Sequence, residues 1–238
     1  MSPSPDFSAG FARWLRDPSE PVSLRFSDDG PGPWRGFEFS CHGDRVMARF
    51  STAGSGPRPL ALLLAEDAAA VTPLPGLFTA TLDLPLLGTR RSPKWTERLS
   101  ACLHHGPSSA ADRTLLDAFL GQTARDLQCV IELCAGWPEV DPSAMGVAGV
   151  CAGALGASLL RALDPRVAVS VLAPGSLAPA LDPDAALAAG RSRCRVLAAG
   201  TAGDRAIVWS ERLGGGTPTP LDGDPLAAAG QRLAGELA

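Results

Sequence analysis

Apolar and polar positions change rhythm several times along the chain, and each rhythm predicts a different element. Val22 to Phe26 alternates with period two, as a half-buried strand does. The turn formers Asp28-Asp29-Gly30-Pro31-Gly32-Pro33 follow, and Gly36 to Ser40 with Arg45 to Phe50 then predict a hairpin around His42-Gly43-Asp44. The loop Ala53 to Pro59 leads into Leu60-Ala61-Leu62-Leu63-Leu64, a continuous apolar run of the kind found in parallel strands buried on both faces; Leu77 to Leu84 is a second. A long polar connection, Pro85 to Pro107, precedes a helix from about Ser109 to Ala135. Its apolar positions Leu116, Phe119, Leu120, Leu127, Val130, Ile131 and Cys134 keep the helical repeat. Ser109 with Asp112 forms a capped start, and Gly136 and Pro138 supply the stop. Ala144 to Val150 is a third buried strand, and Ala152 to Leu163 a helix of small residues ended by Asp164-Pro165. Val167 to Leu172 and Arg195 to Ala199 read as further strands. A last helix opens at Asp224-Pro225.

Strands alternating with helices imply an α/β fold: a mostly parallel sheet with helices on both faces and a minimal cap. Residues 1–20, mixing Pro and Ser with Phe11, Trp14 and Leu15, read as a lead-in with one short docking helix, and 21–238 as a single domain. Ligands of such sheets gather at the carboxyl ends of the strands. The loops after Leu64, Leu84, Val150, Leu172 and Ala199 therefore share one rim.

Composition narrows the partners. The 238 residues carry a net charge of −4, and their only tight basic pair is Arg90-Arg91, so no basic stripe exists to track nucleic acid. Arg outweighs Lys almost completely, and Tyr and Asn do not occur, a pattern that a GC-rich coding bias produces. No Tyr phenol or Asn amide can therefore serve in a site. The N-terminus lacks a charged start and an apolar core, and the apolar stretch Ala144 to Leu160 is short and broken by glycines. A cytoplasmic protein that meets no membrane is the expectation. Six cysteines without metal-like spacing suit free thiols in a reducing compartment. No cofactor is indicated. Cys102, His104 and His105 have no matching ligand pair elsewhere, so no metal site is expected.

One segment carries chemistry. Gly149-Val150-Cys151-Ala152-Gly153 lies between a buried strand and a helix, the setting of a nucleophile elbow. Glycine at 149 and 153 relieves crowding in the sharp turn, and Cys151 projects at the head of the following helix. The helix dipole and unpaired N–H groups there favour thiolate. The N–H of Ala152 becomes an oxyanion donor.

Around that elbow the chain resembles α/β-hydrolases of the dienelactone-hydrolase and acetyl-xylan-esterase type. The resemblance runs through Cys41 to Leu64, Leu82 to Arg90, and Asp141 to Pro174. It implies the α/β-hydrolase fold, Cys151 as nucleophile, and a carboxylate meeting the thiol from the loop after the first buried strand, where Glu66 and Asp67 stand. It further implies an arginine near the substrate, at Arg90 or Arg91, and the triad acid at Asp204 in Gly203-Asp204-Arg205.

Two departures matter. Such hydrolases follow the first buried strand with His-Gly, where this chain reads Ala65-Glu66. Their base histidine precedes the last helix, where this chain reads Leu221-Asp222-Gly223-Asp224-Pro225, and no histidine follows His105. A lid histidine, His104 or His105, is one replacement and a carboxylate is the other. The function expected is action on a small ester, lactone or thioester through Cys151, by hydrolysis or by elimination of the acyl group. The setting suggested is specialised-metabolite biosynthesis in a GC-rich bacterium. The rival is a catalytically inactive hydrolase fold kept for binding or scaffolding. The oligomeric state is not legible.

Overall fold

The computed structural model describes residues 22–27, 32–52, 54–175, 177–178, 181, 193–199, 219–221 and 223–237, with residues 193, 195–199 and 219–221 described by their backbone. The nine strands among them are β1 (Leu24–Ser27), β2 (Arg35–Cys41), β3 (Asp44–Ser51), β4 (Arg58–Leu64), β5 (Phe78–Leu82), β6 (Val140–Val150), β7 (Val167–Ala173), β8 (Arg193–Ala199) and β9 (Thr219–Leu221). They form one sheet in the order β1-β2-β3-β5-β4-β6-β7-β8-β9. β1, β2 and β3 pair antiparallel, as does β3 with β5, and every pairing from β5 through β4 to β9 is parallel.

The order reverses around β4. The chain leaves β4 toward β5 on one side and leaves β6 toward β7 on the other, so a crevice opens between the carboxyl ends of β4 and β6. Leu64 is paired with Gly149 across it. Glu66 and Cys151 each stand two residues beyond that pair.

The helices are α1 (Pro93–His105), α2 (Ala110–Ala135), α3 (Ala152–Leu163) and α4 (Pro225–Leu237). α2 and α3 cover one face of the sheet, where Leu60, Leu62, Leu64 and Val147 meet Leu127, Val130 and Leu160. α4 covers the other, seating Ala229 and Leu233 on Ala61, Leu63, Ala148 and Val169. Continuous apolar runs are what a sheet covered on both faces requires. The expected α2 start holds: Ser109 and Asp112 make a reciprocal capping box.

Two expectations need correction. The stretch 85–107 is not a plain polar connection but a short turn, Gly88–Arg90, followed by the 13-residue helix α1. Thr96, Leu99, Cys102 and Leu103 form its buried stripe, disguised in sequence by the charged residues between them. β9 is a further strand, too short to give a periodic signal. The lead-in 1–20 lies outside the described residues.

Arg90 ties three elements together. Its Nη1 donates to Asp126 Oδ2 of α2 at 2.6 Å and to the Asp83 carbonyl at 3.2 Å, while Nη2 donates to Asp44 at the β2–β3 turn. Asp126 is fully buried and also accepts from Gln122. Burial pushes its carboxyl above the usual range against the pull of Arg90. Removing one member strands the other's charge. Asp126→Ala is expected to lower unfolding free energy by about 3–5 kcal/mol in urea titration, and Asp126→Leu with Arg90→Met to recover most of it.

Asp112 supplies a pH-dependent contribution of known sign. Bonds from Ser108, Arg98 and Ser109 hold its carboxyl below the ordinary range. A depressed native value stabilises fully above the unfolded carboxylate value of about 4, and that stability is lost as pH falls further. Thermal melts below pH ~4 should therefore show Asp112→Asn with a shallower acid loss than the wild type, the two lying furthest apart at neutral pH.

Candidate active site at the β6–α3 turn

Cys151 is the residue from which α3 starts, with φ 50° and ψ −120°. An L-residue adopts this conformation only when its surroundings impose it. Its N–H donates to Ala173 O of β7 at 2.9 Å, and its carbonyl accepts from Ala154 N at 2.9 Å. The turn has no room for side chains at its flanks. A Cβ on Gly149 would lie 2.1 Å from Gly153 O, and one on Gly153 would lie 2.1 Å from Leu64 O. The sequence motif is therefore a backbone-to-backbone contact of strand, turn and neighbouring strand.

The turn lifts Cys151 to the rim. It is half-buried, whereas the other five cysteines are buried. A bond from Cys129 and then burial push the Cys41 thiol up, and burial pushes up Cys102 and Cys134. Ala152, fully buried, is the first residue of α3. Its N–H belongs to the opening amides that find no acceptor within a helix, the arrangement expected of an oxyanion donor.

Sequence alone missed Gly175. It sits at φ +57°, just beyond β7, where a Cβ would lie 2.8 Å from Cys151 Sγ. Pro174-Gly175 looks like any turn, so only the folded chain reveals that its missing side chain makes room for the sulfur.

A cavity of about 1100 Å³ opens beyond the carboxyl ends of β4 and β5, and Cys151 is not among its described walls. Its described walls come from β2 and β3, the loops after β4 and β5, and one side of α1. It reaches Leu103 of α1, whose carbonyl accepts from Ala178 N at 2.6 Å. Ala178 belongs to the same loop as Gly175, which links this wall to the sulfur's surroundings. Two polar atoms of the walls, Glu66 Oε1 and Thr81 Oγ1, are buried and have no hydrogen-bond partner among the described residues. Such atoms are rare in folded proteins, and in a cavity they await a donor or acceptor from outside.

The remaining site expectations divide. Asp67 lines the cavity, but its side chain accepts from Ala69 N at 2.8 Å and caps the turn Ala68–Ala70. Arg91 lines the cavity and is exposed. Arg90, expected beside substrate, is instead the buried clamp on Asp126 and Asp44, held there because both carboxylates need its charge. His104 and His105 form the last turn of α1, half-buried and exposed respectively, and neither lines the cavity. Asp204 lies outside the described residues. Among the described residues no three His, Cys, Asp or Glu side chains gather as a metal-binding group, and no described helix is long and apolar enough to cross a membrane.

No protein-family model matches the sequence, and no curated protein matches it. Solved structures do resemble the fold. Acetyl xylan esterase 1 from Thermoanaerobacterium sp. JW/SL YS485 is 14% identical with a TM-score of 0.60, the match covering 100% of this chain and 94% of that one. Acetyl xylan esterase from Paenibacillus sp. R4 is 12% identical with a TM-score of 0.65, covering 100% and 96%. The dienelactone hydrolase-like promiscuous phosphotriesterase P91 from metagenomic libraries is 16% identical with a TM-score of 0.55, covering 88% of each. At these identities the likeness is one of architecture: the chain has the α/β-hydrolase fold.

The turn generates a prediction that needs no substrate. Under limiting iodoacetamide at neutral pH, peptide mapping should find Cys151 alkylated ahead of the other five thiols. Gly175→Ala should slow that labelling by about threefold to tenfold, the rate equivalent of forcing a side chain off its rotamer, while circular dichroism stays unchanged. Equal labelling in the two proteins would remove Gly175 from the sulfur's environment.

Proposed function

We propose that this chain is an enzyme that acts on an ester, lactone or thioester through Cys151, with Glu66 handling the proton. The observation that carries the reading is the pairing of two features across one crevice. A strained cysteine stands at a helix head beyond β6, and a carboxylate with a buried, unpartnered oxygen stands at the matching position beyond β4. A scaffold needs neither.

In the hydrolytic route, the Cys151 sulfur attacks the carbonyl carbon, and the Ala152 N–H holds the developing oxyanion. The C–O bond breaks, and the alcohol leaves with the proton that the Cys151 thiol gave up, passed on by Glu66. A water then cleaves the acyl-cysteine, its proton taken by Glu66. In the eliminating route, Glu66 takes a proton from the carbon next to the one bearing the acyloxy group. The C–O bond breaks, an alkene forms, and the carboxylate departs against the same N–H. Elimination dispenses with water activation, the step that suffers most when the usual histidine is missing from its place. Arg91, at the mouth of the cavity, suits a substrate with an anionic group. Asp67 supports the same loop, and Asp204, carried over by resemblance alone, supplies no step here. A place in bacterial specialised metabolism agrees with this chemistry and with the coding bias.

The test is a product-resolved assay on activated esters and on esters that carry a proton next to the C–O carbon. Glu66→Gln is expected to reduce turnover by about two to four orders of magnitude, as loss of a general acid–base group does. His104→Ala and His105→Ala are expected to stay near wild type. An alkene in place of an alcohol identifies the eliminating route. If a histidine variant collapses instead, the proton belongs to the end of α1. If no substrate turns over and the folded variants bind ligands alike, the chain is a binding protein built on a hydrolase fold.

A further inference from the structure

Cys41 and Cys129 have no part in the chemistry proposed above, yet they meet inside the core. Cys41 closes β2 and Cys129 lies in the C-terminal third of α2, 88 positions apart in sequence, with their sulfurs 3.0 Å from each other. They are 3% and 1% exposed, so neither thiol is shared with solvent or with the cavity. We propose that this pair is a site of reversible disulfide formation joining the end of β2 to α2.

The surroundings suit a covalent joint. Cys41 is paired with Asp44 across the hairpin turn His42-Gly43, whose residues are exposed. The pair therefore lies directly beneath a surface turn, within reach of a water-sized oxidant when the turn opens. Asp126, one helical turn before Cys129, receives Arg90, which also holds Asp44. The hairpin end and α2 are thus already fastened beside the two sulfurs, and this anchoring keeps both atoms in place. Closing from the present contact to the disulfide length of about 2.05 Å brings the sulfurs about 1 Å nearer.

The oxidant is a hydroperoxide. Cys129, burial and Asp126 all hold the Cys41 thiol up, so the attack awaits opening of the turn: a thiol that then meets water ionises and attacks the peroxide oxygen, giving a sulfenic acid and releasing water from hydrogen peroxide. The second sulfur then displaces the sulfenic oxygen as water, forming the S–S bond. Two thiols and one peroxide thus become one disulfide and two waters, and a dithiol reverses the change. Held sulfurs make the second step intramolecular and fast, and this protects the sulfenic acid from further oxidation. The bond would lock the hairpin that supplies Met47 and Arg49 to the cavity wall.

The experiment uses the folded full chain carrying Cys151→Ser, which removes the half-exposed thiol from competition. After hydrogen peroxide treatment and quenching, the protein is unfolded and its thiols are alkylated without reductant. The expected result is a fall from five alkylated thiols to three, a Cys41–Cys129 linked peptide two hydrogens lighter than its parts, and reversal by dithiothreitol. Melting should also shift upward by several degrees, because the cross-link closes a long loop in the unfolded chain. Cys41→Ala and Cys129→Ala, each added to that background, should keep all four remaining thiols and lose the shift. The proposal is overturned if five thiols survive, if either sulfur is found as sulfinic or sulfonic acid without a link, or if the link appears only after the chain is unfolded.

Discussion

The structure depends on a contact between backbones at the end of β6. Gly149 touches the first turn of α3 at Gly153, and Gly153 in turn touches the Leu64 carbonyl at the end of β4. Three elements thereby approach more closely than any side chain would allow. This approach brings the head of α3 onto the crevice between β4 and β6. It also holds Cys151 in a backbone conformation that a free chain would leave. The cost is spread over apolar packing on both sheet faces, where α3 and α4 grip the same strands. The reactive position is thus a consequence of the core, and its geometry is as rigid as the core is.

The cavity is built differently from the turn. The chain leaving β5 is folded back by polar groups as well as by apolar packing. The Asp83 carboxylate accepts from Thr89 N at 3.0 Å and from the Thr89 hydroxyl, closing the turn in which Leu86 takes φ 60°. Thr96 Oγ1 then donates to Leu86 O at 2.6 Å and hangs the first turn of α1 from that loop. Arg90 anchors the same segment to α2 and to the β2–β3 hairpin. These directional bonds set the shape of a segment whose Leu84, Leu87, Leu99 and Leu103 are buried in the same core as the strands.

These two halves were unequally legible in the sequence. Continuous apolar runs announce buried strands whatever their neighbours are, so Leu60 to Leu64 and the strand before Cys151 were readable. So was α2, where a capping pair, a long repeat and a Gly-Pro stop agree. The elbow was readable because its glycines answer a steric demand local to five residues. α1 was not, since its stripe of Thr96, Leu99, Cys102 and Leu103 is masked by charges that face solvent. The role of Arg90 was equally hidden. Two adjacent arginines look alike in sequence, and only the position of Asp126 on a distant helix separates the clamp from the exposed Arg91. Gly175 illustrates the same limit, because its partner is a sulfur that neighbours it only across the sheet.

The absent histidine weighs differently on a cysteine than on a serine. A serine hydroxyl has almost no oxyanion at neutral pH and needs a base at the moment of attack. A thiol at a helix head supplies part of its own anion, so the attack step tolerates the loss. What remains exposed is the later step, in which water must clear the acyl-cysteine or a carbon-bound proton must be taken. Both demands fall on a group opposite the sulfur that accepts a proton and is shielded from bulk water. The proposed function gives this task to Glu66, which stands two residues beyond Leu64, as Cys151 stands two beyond Gly149, and has one buried oxygen without a partner among the described residues. His104 and His105 stand at the far end of α1, outside the cavity walls. Under the proposed function the replacement for the missing base therefore comes from the loop that leaves β4, next to the strand that carries Cys151.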